Sequence, residues 1–280
     1  MLDVRVQLAK NYWLNTASVH SVTPNPRPAP RDYIPVAPSW ERQPDDTDIW
    51  RRVVIMPALA LNQVERELLG PIAGRRVGVL GAGDAIAPLA LAALGAEVTV
   101  IDPAHARLDQ LLVRCQVTGV NIQFTAVELT NLSGLRSGLF ELCYAAQTSC
   151  QLSDLGRFYK DVFRLLTESG RLVINEYHPV RRIWKQEPGS PRLVRSYFER
   201  RTERGEVDAT GSPAGHHNLH ANLGRYEYHW TVSDHVHFLI QAGFQVTRLE
   251  EIGDSHQHWE VANLRGLPEQ LVIGADRFLD

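Results

Sequence analysis

Val77-Gly78-Val79-Leu80-Gly81-Ala82-Gly83-Asp84-Ala85, followed further on by Val98-Thr99-Val100-Ile101-Asp102, decides how the chain reads. The pattern is an apolar strand, a glycine turn, a helix and a second strand that ends in a carboxylate. Glycine lets backbone come close to a bound group. A carboxylate roughly 20 residues past such a turn is the usual partner of ribose hydroxyls. The pair therefore predicts a site for a nucleoside-containing cofactor.

Working outward, strand and helix alternate. Strands are expected at 76–80, 97–101, 121–126, 140–145 and 171–176, with helices at 84–94, 104–117 and 154–167 between them. Pro88 falls in the first turn of its helix, where a missing N–H had no partner anyway. Ser153 or Asp154 caps the third of these helices, and Gly170 turns the chain into the fifth strand. Strands that are apolar on both faces belong to a buried, mostly parallel sheet. A further helix at 233–242 behind Ser233, and strands at 244–252 and 270–278, complete seven strands. The expected fold is a doubly wound, Rossmann-like α/β sheet.

Upstream, 47–70 reads as a helix capped by Thr47 or Asp48. Ile49, Val53, Met56 and Leu59 recur at helical spacing, and Pro57 should kink or split it. Residues 11–23 read as a short helix. The stretch 24–40 holds Pro24, Pro26, Pro28, Pro30, Pro35 and Pro38 and is expected to be extended. Tyr33 and Trp40 favour an arm that packs rather than a free linker. Two parts follow: an arm at 1–46, and a main domain at 47–280 with an irregular cap at about 178–226.

At 280 residues, 44% apolar and 22% charged with a formal net charge of -3, the chain is ordinary for a globular protein. It does not grip nucleic acid by bulk charge. Met1-Leu2-Asp3-Val4-Arg5-Val6 opens no apolar run of signal-peptide length, and no stretch has the length and apolarity of a membrane span. The cysteines are Cys115, Cys143 and Cys150, an odd number with no C-x-x-C pair, which fits a reducing cytoplasm. Cys143 is expected in the core.

The glycine turn also sorts among cofactors. A dinucleotide fingerprint wants a small residue where Ile86 stands. A G-x-G-x-G spacing places it one position earlier, at Ala85. Gly81-Ala82-Gly83-Asp84-Ala85, Asp102, Glu128 and Phe140-Glu141-Leu142-Cys143-Tyr144-Ala145-Ala146-Gln147 together resemble motifs I to IV of class I S-adenosylmethionine-dependent methyltransferases. Arg157–Leu166 and Ser169–Glu176 resemble that family's following helix and fifth strand. The resemblance covers most of 70–176 and the closing helix and strands.

The resemblance implies that Gly81, Ala82, Gly83 and Ala85 bring backbone to the amino-acid part of S-adenosylmethionine. It implies that Asp102, with Pro103 beside it, meets the ribose hydroxyls, and that Glu128 and the Leu129 backbone face the adenine amino group. Ala145, Ala146 and Gln147 then end the fourth strand beside the sulfonium. There are departures. Val79 stands where the family often has an acid that orients the ammonium group, and Glu141 stands where an Asp is usual. Asp84 is a candidate source of the missing charge.

Methyl transfer asks chiefly for alignment and exclusion of water. A base is required only for an acceptor that must lose a proton. His178, after Tyr177 at the carboxyl end of the fifth strand, is the first candidate, His229 the second and His20 the third. Trp13 and Tyr12 are candidate lid residues. His216, His217, His220, His235, His237, His256 and His258 lack the spacing of a zinc site, so no metal is expected. Arg181, Arg182, Arg192, Arg195, Arg200, Arg201 and Arg204 are interspersed with Glu199, Glu203 and Glu206, as on a solvated mixed-charge face.

The reading favoured is methyl transfer to an oxygen or nitrogen of a small molecule or small peptide. The arm and cap would cover the acceptor, with no nucleic acid or membrane partner. A non-catalytic binding protein of the same fold, and a nicotinamide-dependent oxidoreductase, stay open.

Overall fold

The computed structural model describes residues 48–83, 85–186, 190–203, 226–253, 264 and 266–278. The expected arm at 1–46, the Thr47 cap, Asp84, His20, His216, His217, His220, His256 and His258 lie outside the described residues.

The helix expected over 47–70 is split at its proline. α1 runs Ile49–Ile55, a single 3-10 turn covers Pro57–Leu59, and α2 runs Gln63–Leu69. Pro57 cannot donate to the preceding turn, so the chain breaks there. The expected apolar stripe breaks with it: Val53 is fully buried, whereas Met56 and Leu59 are exposed. Asn62 then starts α2 with a capping box, its side chain accepting from Glu65 N–H while Glu65 accepts from Asn62 N–H.

The central sheet has seven strands. They are β1 (Arg76–Leu80), β2 (Glu97–Ile101), β3 (Ile122–Thr125), β4 (Phe140–Ala146), β5 (Leu166–Tyr177), β10 (Gln245–Ile252) and β11 (Gln270–Asp276), in the order β10-β11-β5-β4-β1-β2-β3. β11 is antiparallel to both of its neighbours, β5 and β10, and the other pairings are parallel. The mostly parallel, doubly wound reading therefore holds. Arg171, midway along β5, is clamped to Asp276 at the end of β11 at 2.5 Å.

β5 begins earlier than expected, at Leu166. Its pairing with β4 jumps from Phe140↔Leu166 to Leu142↔Arg171, so residues 167–170 bulge out of the ladder. Gly170 sits in the bulge, where a Cβ would lie 2.9 Å from Leu166 Cβ.

Between the strands run α3 (Ile86–Ala93), α4 (His105–Thr118) and α5 (Leu155–Leu165), the last capped by Asp154, which accepts from Arg157 N–H. α6 (Val232–Ala242) is capped by Thr231 and not by Ser233. Thr231 and Asp234 form a capping box, and Ser233 only reaches the Thr231 hydroxyl at 2.9 Å.

The core lies on both sides of the sheet, with Val77, Leu80, Val100, Leu142, Cys143, Leu172 and Ile273 all fully covered. The described part of the cap forms two short hairpin pairings, β6 (Trp184–Gln186) with β7 (Pro191–Leu193) and β8 (Arg201–Glu203) with β9 (Tyr226–Tyr228). No described helix is long and apolar enough to cross a membrane.

Candidate functional site

β1 and β4 are adjacent parallel strands, and both end at the same edge of the sheet. β1 runs into Gly81 at φ +99 and Gly83 at φ +54. A Cβ on Gly81 would lie 2.8 Å from Thr148 Cγ2 and 3.8 Å from Leu129 Cδ1. The turn is thus held tightly against the ends of its neighbours, and only glycine fits. Ala85 closes the turn as the residue before α3, at φ +69, a left-handed value that an L-residue adopts at a cost.

Asp102 lies at the end of β2 and is 1% exposed. Its Oδ2 accepts the N–H of Ala82 at 2.7 Å, and its Oδ1 accepts the N–H of Ala104 at 2.7 Å. Arg107, on the first turn of α4, donates to Oδ1 through Nη2 at 2.8 Å and Nε at 3.2 Å. Asp102 therefore fastens the glycine turn to β2 and is itself matched by a buried guanidinium. Pro103 beside it is half-buried. Glu128 is exposed, with its carbonyl accepting the N–H of Asn131, and Leu129 is buried.

At the end of β4, Ala145 is buried next to Leu80, and Ala146 pairs with Asn175. Gln147 has φ +55 and donates its N–H to the Asn175 carbonyl at 2.9 Å. A non-glycine residue held in this region at a sheet edge is strained backbone of the kind that accompanies ligand sites.

β5 ends in Asn175-Glu176-Tyr177, all buried. Glu176 Oε1 accepts the N–H of Thr148 at 3.0 Å and of Ser149 at 2.9 Å. Burial pushes its carboxyl up to about 7, against the downward pull of those amides and of Arg182. Tyr177 pairs with Gln270 of β11. His178 is engaged at both ring nitrogens. Nδ1 accepts from Val180 N–H at 3.2 Å, and Nε2 meets Glu251 Oε1 at 2.6 Å. It caps the 3-10 turn Pro179–Ile183 and fastens that turn to β10.

His229 stands differently. It is 2% exposed, and among the described residues neither ring nitrogen makes a hydrogen bond within ordinary distance and angle, the Tyr197 backbone being the polar group that bears on it. Burial, then Arg195 and Arg182, lower its pKa to about 4, which leaves the ring neutral near pH 7. Trp230, next in the chain, donates Nε1–H to the carbonyls of Ser149 and Leu152 at 3.1 Å each. That anchor lays the strand carrying His229 across the turn whose amides hold Glu176. Close by, Arg182 pairs with Glu227, and Arg195 lies 3.9 Å from the same carboxylate while donating to the Arg182 carbonyl at 2.8 Å. The expected solvated face is in this part an internal network, because β9 folds Glu227 inward.

A second buried carboxyl lies across the edge. Glu65 of α2 is 1% exposed and accepts from the Tyr144 hydroxyl at 2.6 Å and from Asn62 N–H at 2.8 Å. Burial raises its pKa, and hydrogen bonds from Tyr144, Asn62 and Asn175 oppose the rise. Glu65, Arg107 and Glu176 were not singled out from sequence as site residues. Glu176 had a legible signal, since Asn175-Glu176 interrupts an otherwise apolar strand. Glu65 had none, because Glu65-Arg66-Glu67 reads as an exposed helical charge run. Among the described residues no three His, Cys, Asp or Glu side chains come together as a metal site.

A seven-stranded sheet with one reversed strand beside its edge, and a glycine turn tied to a carboxylate after the next strand, defines the Rossmann-like methyltransferase fold. Residues 79–174 match the family described as methyltransferase domain. That match agrees with the class I resemblance read from the motifs. Among curated proteins none matches the chain.

Solved structures of the same fold include an S-adenosylmethionine-dependent methyltransferase from Mesorhizobium loti. It is 22% identical, with 80% of this chain and 98% of that one covered and a TM-score of 0.58. A methyltransferase from Methanosarcina mazei is 17% identical, with coverages of 79% and 99% and a TM-score of 0.56. The (4+2)-cyclase SpnF is 16% identical, with 82% of each chain covered and a TM-score of 0.52. At these identities the likeness is one of fold.

Proposed function

We propose that the protein transfers the methyl group of S-adenosylmethionine to an oxygen or nitrogen of a small molecule or small peptide. The observation that carries this reading is Glu176. It is a buried carboxyl titrating near 7, fixed by two amides next to Thr148, which packs on Gly81. An acceptor hydroxyl or ammonium must lose a proton as its new bond forms, and a carboxyl near the working pH is suited to take it.

The cradle fits the cofactor. Gly81 lacks the Cβ that would strike Thr148, and the Asp102 carboxylate fastens the turn through the Ala82 N–H. The remaining expected positions, Ala145, Ala146, Gln147, Glu128 and Leu129, would line the same edge. When bound, the cofactor supplies a methyl on a sulfonium, and the sulfur keeps the electron pair of the broken bond. The chain's own part is to align the acceptor, exclude water and receive the proton on Glu176. His229, neutral and with its ring nitrogens unsatisfied among the described residues, is the candidate to hydrogen-bond the acceptor. His178 and Tyr177 position the strand end.

The test is release of S-adenosylhomocysteine across a panel of alcohols, phenols, amines and short peptides. No release over the panel would count against methyl transfer. A second reading, binding without methyl transfer, is favoured by Val79 and by the guanidinium already on Asp102. Calorimetry separates the two, since absence of heat with both S-adenosylmethionine and S-adenosylhomocysteine supports a partner-binding scaffold. A thermal-shift rise with NAD(P) alone would revive the oxidoreductase reading.

A further inference from the structure

Three side chains of the cap carry buried nitrogens with no hydrogen-bond partner among the described residues. They are Nε of Arg182, Nε1 of Trp184 and the ring nitrogens of His229. Arg182 lies in the 3-10 turn Pro179–Ile183 that follows β5, and Trp184 opens β6 directly after it. The turn is fixed: the carbonyls of Arg182 and Ile183 accept from Arg195 Nε and Val194 N–H at 2.8 Å each. His229 follows β9, whose Glu227 pairs with Nη2 of Arg182. The Trp230 anchor ties this strand to the carbonyl of Ser149, whose amide holds Glu176. Arg182 is close enough to act on the charge of both Glu176 and His229.

Two of these orphaned groups are donors only, since neither an Arg Nε–H nor an indole N–H can accept. Buried donors are seldom left so. What would satisfy them is a group that accepts. Charge points the same way. After burial itself, Arg195 and Arg182 are what lower the pKa of His229, and they outweigh Asp234 there. The guanidiniums thus set a positive potential at His229, although Glu227 lies against both and Glu199 bears on Arg195.

We propose that Arg182 and the Trp184 N–H hold a carboxylate carried by the methyl acceptor, so that the substrate is an acid methylated at a separate hydroxyl or amine. This deepens the proposed methyl transfer and rests on it. A carboxylate offers acceptors alone, with one negative charge, in a shape that suits the edge of a guanidinium. An alcohol or an ammonium would bring a hydrogen to groups that already carry one. The carboxylate is the handle and not the methylated atom. A carboxylate acceptor has no proton to lose and would leave Glu176 without a part.

The test is calorimetry of the full chain loaded with S-adenosylhomocysteine, using acids and their uncharged amides. The pairs are 4-hydroxybenzoate with 4-hydroxybenzamide and N-acetylserine with N-acetylserinamide. 4-Hydroxyphenyl phosphate asks whether a phosphate serves instead. We expect each acid to bind about tenfold or more tightly than its amide, the scale of one charge-assisted hydrogen bond. Arg182→Gln should bring acid and amide to within about twofold of each other. Trp184→Phe keeps the ring and loses only the N–H, so it should weaken the acids several-fold and spare the amides. It carries the test by itself if Arg182→Gln does not melt cooperatively. Acids no tighter than amides in the wild type, or an acid preference intact in a folded variant, overturn the carboxylate site. So do tighter binding of the phosphate and a methyl ester as the product. Each of these leaves the cofactor reading standing, whereas a wild type that does not bind S-adenosylhomocysteine overturns that reading first.

Discussion

Arg107 closes on Asp102 with Nη2 2.8 Å from Oδ1, and the two side chains are 7% and 1% exposed. Both oxygens of the carboxylate that the motif spacing assigns to ribose are thus already engaged by the protein itself. Its Oδ2 serves the N–H of Ala82, so the pair also fixes the glycine turn. Removing one member of a buried ion pair leaves the other charge uncompensated.

Arg107→Gln is therefore expected to destabilise the ligand-free protein by about 3 kcal/mol, read by urea unfolding. Ribose hydroxyls are donors that can satisfy the stranded carboxylate. Added S-adenosylhomocysteine should accordingly raise the melting temperature of Arg107→Gln more than that of the wild type. An equal rise in both proteins would show that ribose does not reach Asp102.

Glu176 makes a stability prediction with a definite sign. Its folded carboxyl titrates at about 7, above the ordinary 4.5. Between those values the native state holds a proton that the unfolded state has lost. The contribution is full below pH 4.5 and is lost as pH rises through 7. The size is about 3 kcal/mol, set by the distance between those two values. Glu176→Gln still accepts from the Thr148 and Ser149 amides but has no proton to lose. It should gain stability over the wild type as pH goes from 5 to 8, measured by urea unfolding at each pH. Methyl transfer should fall sharply in the same variant, and the wild-type rate should rise with pH towards a plateau above 7.

His235 works in the opposite direction. It is fully buried, with Nδ1 2.6 Å from the Tyr159 hydroxyl, and burial lowers its pKa to about 4 from 6.5. The unfolded state takes up a proton first as pH drops. Its contribution is present above 6.5 and is lost as pH falls towards 4, on the order of 3 kcal/mol. His235→Gln retains an acceptor for Tyr159, so the acid loss between pH 6.5 and 4 should shrink by that amount. His229, lowered to about 4 mainly by burial, adds to the same trend, and a slope unchanged in His235→Gln would place the acid sensitivity there.

What the sequence disclosed follows from range. Strand periodicity, the break at Pro57 and the Asp154 cap are local, and each lay within a few residues of where it was expected. The glycine turn was legible because Gly81 and Gly83, two residues apart, both take positive φ. Thr231 was passed over for Ser233, two residues away, because both are capping types and only the partner Asp234 decides between them. Contacts across the fold left no mark. Tyr144 and Glu65 are 79 residues apart, and Glu65 looks from its neighbours like a solvated charge. Glu176 is intermediate. A polar pair inside a buried strand is visible, but its meaning depends on amides 28 and 27 residues earlier.

The turn offers a last prediction in two opposed halves. Ala85 holds φ +69 with 2% exposure, while Gly81 holds φ +99 with Thr148 Cγ2 2.8 Å from where a Cβ would be. An L-residue in the left-handed region costs about 1–2 kcal/mol, and glycine gives back up to about 1 kcal/mol in unfolded-chain entropy. Ala85→Gly should thus stabilise the protein by roughly 0.5–1 kcal/mol. Gly81→Ala meets both the φ penalty and the clash, and should destabilise it by about 2 kcal/mol or more. Urea unfolding of the two variants reads both signs. Only Gly81→Ala should also weaken S-adenosylhomocysteine, because its new methyl forces Thr148 and the amide beside it away from Glu176. If Ala85→Gly loses stability instead, the left-handed geometry at Ala85 is not what closes the turn.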